Sequence, residues 1–140
     1  MTESGARSDE EFRDQVPAEP GRLVGLRKQL TAWLTGLGLD RERREDIVLA
    51  SNEALVNSAE HAYRDGLDGV IDIHATSNRD GIKIVVTDYG NWKPANPADT
   101  IRGRGLVLIA RLADHSDYRY RGDGTTVTMT WTTDLPGGDR

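Results

Sequence analysis

A chain of 140 residues, 36% hydrophobic and 29% charged, is long enough for one domain with a true core and is neither fibrous nor wholly disordered. Its formal charge of -5 argues against nucleic acid as a direct partner, because a backbone-binding domain needs a basic surface. The absence of cysteine excludes a disulfide framework, a thiol nucleophile and a cysteine zinc site, and no apolar run approaches the roughly 20 residues of a membrane span. The start of the chain is polar and charged, unlike a signal peptide, so a cytoplasmic protein without membrane contact is expected.

Met1–Glu11 has almost no hydrophobic content and is expected to be a disordered tail. Asp134–Arg140, with Pro136, Gly137 and Gly138, reads as a second tail, which leaves 12–133 as the domain. Phe12–Ala18 reads as a short edge strand closed by Pro17 and Pro20. Leu23, Leu26, Leu30, Leu34 and Leu37 then recur at spacings of three and four, beside Trp33, and predict an amphipathic helix stopped by Gly36 and Gly38. Asp40 is the expected N-cap of a second helix running to about Tyr63. Its apolar arc holds Ile47, Val48, Ser51, Leu55, Ala59 and Ala62, with Asp46, Glu53, Asn57 and Glu60 opposite.

Alternation of period two predicts the remaining strands. Ile71, Ile73 and Ala75 share one face, and Ile82, Ile84 and Val86 share another beyond a turn at Asn78–Gly81. A loop from Asp88 to Arg102 opens onto a helix over about Gly105–Ala113. Ser116–Arg121 reads as a strand pairing with Thr125–Trp131 across a glycine turn, with Val127, Met129 and Trp131 inward. This order predicts an α+β two-layer sandwich, with helices on one face of a mixed, mostly antiparallel sheet.

Four short segments carry candidate chemistry, and each alone has an ordinary structural reading. Glu53 and Asn57 lie one helical turn apart on one face. A carboxylate there can orient or deprotonate a hydroxyl, and an amide oxygen suits Mg²⁺, but polar residues on a solvated helix face are commonplace. Thr87-Asp88-Tyr89-Gly90 places an acceptor and a glycine at a strand end, which serves a base edge or a plain turn. Arg102-Gly103-Arg104-Gly105 precedes a helix, where exposed N–H groups attract phosphate, but a lone Gly-x-Gly is weak. Gly124-Thr125-Thr126 starts a strand and reads equally as a hairpin turn.

In this order the segments resemble the Bergerat ATP-binding fold shared by gyrase, Hsp90, histidine kinases and MutL, over nearly all of Phe12–Thr133. More narrowly the chain is similar to the stand-alone anti-sigma-factor serine kinases. The Leu-x-x-Leu-Arg helix leading into Trp33-Leu34 and the Asn57…His61-Ala62-Tyr63 ending carry that likeness.

The resemblance implies roles. Glu53 would be general base or orienter, and Asn57 would coordinate the Mg²⁺ of Mg-ATP. Asp88 would bind the adenine amine, with Gly90 admitting the base and Thr126 assisting. Gly103, Arg104 and Gly105 would hold the phosphates beneath a lid over about Asn91–Arg102. The implied partners are a sigma factor, a STAS-domain anti-anti-sigma protein carrying the acceptor serine, and a second copy in a homodimer. The chain departs from the superfamily at Trp92, where a second glycine is usual, and in a short lid with Pro94 and Pro97. These departures keep open a non-catalytic module that acts by partner binding alone.

Overall fold

The computed structural model describes the backbone of residues 10–62, 69–89, 100–120 and 124–132, with side chains at all of these except 61–62 and 100–105. The chain runs β1 (Glu10–Pro17), α1 (Pro20–Gly36), α2 (Arg41–Ala62), β2 (Val70–Asn78), β3 (Gly81–Asp88), α3 (Thr100–Leu112), β4 (His115–Tyr120) and β5 (Thr125–Trp131). The first strand begins at Glu10, two residues inside the stretch whose composition predicted a tail.

Pro20 opens α1, where its missing N–H costs nothing, and Leu23, Leu26, Leu30 and Leu34 form its buried stripe. The helix ends as its spacing predicted. The N–H of Gly38 donates to the Thr35 carbonyl at 3.2 Å, and its φ of 80° is a left-handed conformation that glycine adopts freely. Asp40 caps α2, its Oδ1 accepting the Arg43 N–H at 2.8 Å. The inner side of α2 is built from Ile47, Ala50, Ser51, Ala54, Leu55 and Ser58. The predicted arc is therefore rotated toward small residues, since Val48 and Ala59 are only half-buried. Small side chains let the helix axis approach a neighbouring layer closely. Arg27 donates to Asn52 Oδ1 at 2.7 Å and ties α1 to α2.

The sheet order is β1-β2-β3-β5-β4, and its four described pairings are all antiparallel. The parallel component of a mixed sheet is not found among the described residues. One face carries the apolar set predicted from alternation: Ile71, Ile73, Ile84, Val86, Val127 and Met129 are each at most 3% exposed. The hairpin between β2 and β3 requires Gly81. Its φ is 134°, and a Cβ there would lie 2.0 Å from the Trp131 carbonyl oxygen. The Trp131 indole donates to the Leu112 carbonyl at 2.8 Å, which fastens β5 to the end of α3. The far face of the sheet is polar, with His74 paired to Glu11 across β1 and β2. No described helix is long and apolar enough to cross a membrane.

Candidate active site

The site begins with the last turn of an alternating pattern. Ile82, Ile84, Val86 and Asp88 fall on the same, helix-covered face of β3, so the aspartate at the strand end enters the rim of the core. Asp88 is 1% exposed. Its register partners are Ile71 on β2 and Thr125 on β5. A buried carboxylate is costly unless polar groups reach it.

Thr125 stands on the same face as Asp88 and is 2% exposed. Thr126, expected to assist the aspartate, stands on the other face of the strand. It shares the opposite face with Thr128 and Thr130, because side chains alternate and Val127, Met129 and Trp131 occupy the inner side. The signal was present in the inward set already assigned to this strand, which extends back to Thr125. Gly124 does more than turn the chain. A Cβ on it would stand 2.2 Å from the Asp88 carbonyl oxygen, so only glycine lets β5 start against the end of β3.

Glu53 and Asn57 lie on α2 and are both half-buried, not on a fully solvated face. The helix packs against both β3 and α3. Within it, the Asn57 Nδ2 and the Ser51 Oγ are shielded from solvent without a hydrogen-bond partner among the described residues, and so is the Thr125 Oγ1. Each such atom costs about 1–3 kcal/mol if nothing polar meets it. Asn57 fits a hard cation, because its amide offers an oxygen as well as a nitrogen, and Thr125 beside Asp88 fits a polar ligand.

The last residues of the expected loop, Thr100–Arg102, are helical. The helix starts at Thr100, so Gly103, Arg104 and Gly105 lie inside it. Two glycines disfavour helix by about 1 kcal/mol each, which hid this turn from a propensity reading. Burial of Ile109 and partial burial of Leu106 and Leu112 on the same helix offset that cost. Within the helix, the N–H groups that no intrahelical carbonyl reaches are accordingly those of Thr100–Arg102. Gly90, Trp92, Pro94 and Pro97 lie outside the described residues, as does the side chain of His61.

The histidine kinase-like ATPase domain family matches residues 16–131. The chain belongs to this family. Within it, the chain is 31% identical over 115 residues to the serine-protein kinase RsbW of Oceanobacillus iheyensis, covering 71% of this chain and 73% of that one. It is 30% identical over 141 aligned positions to the serine-protein kinase RsbW of Staphylococcus aureus strain JH9, covering 89% and 88%. The crystal structure of the RsbU and RsbW domains of Rv1364c from Mycobacterium tuberculosis superposes with a TM-score of 0.72 at 26% identity, over 90% of this chain. The present chain spans 32% of that longer chain. The resemblance to the serine-kinase branch of this ATPase family is thus borne out, and so are the α+β sandwich and the assignment as an ATP-dependent protein kinase.

Proposed function

We propose that this histidine kinase-like ATPase domain binds Mg-ATP at the Asp88 end of the sheet and phosphorylates a serine of a STAS-domain anti-anti-sigma partner, and that it also sequesters a sigma factor. The observation that carries the nucleotide site is the buried pair of Asp88 and Thr125, side by side in register at the rim of the core. A carboxylate held there accepts a hydrogen bond from the exocyclic amine of adenine, and the neighbouring hydroxyl completes the polar edge. Asn57 would hold Mg²⁺ through its amide oxygen, and the backbone N–H groups at the start of α3, with Arg104, would face the phosphates.

When bound, Mg²⁺ neutralises charge on the phosphates during transfer. Glu53 orients the partner's serine hydroxyl and accepts its proton as the oxygen bonds to the γ-phosphorus. The bond from that phosphorus to the bridging oxygen breaks, and ADP leaves. Positioning then supplies most of the rate, with no covalent enzyme intermediate. A homodimer is part of the same reading. Among the described residues no strand pairs with the outer side of β1, which a second copy would cover.

The test is phosphoryl transfer to a STAS-domain protein from the same organism. The wild type should place phosphate on a serine. Glu53→Ala should lower that rate at least about a hundredfold while leaving ATP affinity within about twofold. A stable complex that forms without any serine phosphate would replace this reading with a non-catalytic binding module.

A further inference from the structure

Ser58 is one of the few polar side chains that the core takes in, and it has no part in the site so far. It follows Asn57 on α2 and is 3% exposed. It recurs from Ile47 through Ser51 and Ala54 at spacings of four, three and four, the stripe of a single helix face. Ile47 and Ala54 on that stripe are fully buried, and α2 packs against β2 and β3. Asn52, which meets Arg27 of α1, belongs to another side. Ser58 therefore faces the sheet.

Its place along the strands follows from the two ends of α2. At the start, Arg43 Nη2 donates to the Thr132 carbonyl at 3.3 Å and Arg43 Nη1 lies 3.5 Å from Asp114 Oδ1, so α2 begins over the end of β5. Beyond α2 the chain enters β2, where Ile71 pairs with Asp88 at the opposite end of the strands. From Arg43 to Ser58 the helix rises about 22 Å. From Thr132 back to Thr125 the strand advances about 23 Å. The two lengths match, which sets Ser58 at the level of Asp88 and Thr125, in the layer that faces them.

An ionised carboxylate offers only acceptors, so Asp88 can meet the exocyclic amine of adenine but not the ring nitrogen N1 beside it. N1 is itself an acceptor, and a buried acceptor needs a donor. A serine hydroxyl carries one O–H and rotates to aim it. We propose that Ser58 is a base-binding residue: its hydroxyl donates to N1 of adenine from the helix layer, while Asp88 accepts from the amine in the sheet. This rests on the reading that Asp88 receives the base.

The test titrates full-length wild type, Ser58→Ala and Thr125→Val with ATP and with 1-deaza-ATP by calorimetry in the presence of Mg²⁺. The analogue has a C–H in place of N1 and keeps the amine, ribose and phosphates. Alanine is the best helix former, so Ser58→Ala removes the hydroxyl without loosening α2. Wild type should bind the analogue about fivefold more weakly than ATP. Ser58→Ala should bind ATP about fivefold more weakly than wild type does, and should no longer distinguish the two nucleotides. Thr125→Val should still distinguish them. Equal affinity of the wild type for both nucleotides would overturn the proposal alone, and so would equal ATP affinity in wild type and Ser58→Ala. A distinction that survives in Ser58→Ala would also overturn it, and its loss in Thr125→Val would then assign N1 to Thr125. Failure of the wild type to bind either nucleotide would overturn the nucleotide reading, and this proposal with it.

Discussion

Along β3 and β5 one period of two serves two regions that behave differently. In the middle of the sheet it delivers Ile84, Val86, Val127 and Met129 to a dry core, each at most 3% exposed. At the end of the same two strands it delivers Asp88 and Thr125, equally buried and polar. Nothing in the backbone pattern distinguishes the regions; only the side chains do. The middle gains free energy from burial, while the rim gives some of it up by shielding polar atoms. The comparison teaches where substitutions act. Changes in the middle should move stability, and changes at the rim should move ligand affinity.

The largest expected effect is in the middle. Ile84→Ala removes a fully buried side chain from the central strand and should cost about 3 kcal/mol, read as a shifted midpoint in chemical denaturation. A loss under about 1 kcal/mol would mean the core is not close-packed there. Gly124→Ala tests the border between the regions, because its Cβ would meet the Asp88 carbonyl at 2.2 Å. The strand end must shift, so stability should fall by about 2 kcal/mol and ATP affinity should fall with it. Unchanged affinity would separate the border from the site.

The smallest stability effect belongs to the rim. Thr125→Val replaces a shielded hydroxyl that has no partner among the described residues by a methyl group of similar size. Stability should hold or rise by up to about 1 kcal/mol while ATP binding weakens a few-fold. Loss of stability with full ATP affinity would reverse the comparison.

Much of this was legible from sequence because it is local. Leucines at spacings of three and four gave α1, Asp40 gave the start of α2, and alternation gave the inward faces of β2, β3 and β5. The aspartate at a strand end was visible for the same reason. What was not legible depends on partners far along the chain. The choice of Thr125 over Thr126 turns on which face β5 presents to β3, and the family motif alone did not settle it. The early start of α3 escaped because Gly103 and Gly105 are poor helix formers, whatever packing the rest of the helix finds. The contact from Tyr89 to Asp72 joins residues 17 apart and exists only once β2 and β3 are paired.

The central claim is that the buried aspartate at the end of β3 reads the nucleotide. Calorimetric titration of the wild type and Asp88→Asn with ATP in the presence of Mg²⁺ tests it most directly. The account predicts saturable one-site binding by the wild type. It predicts at least a tenfold loss in the variant. Equal binding by both proteins would contradict it.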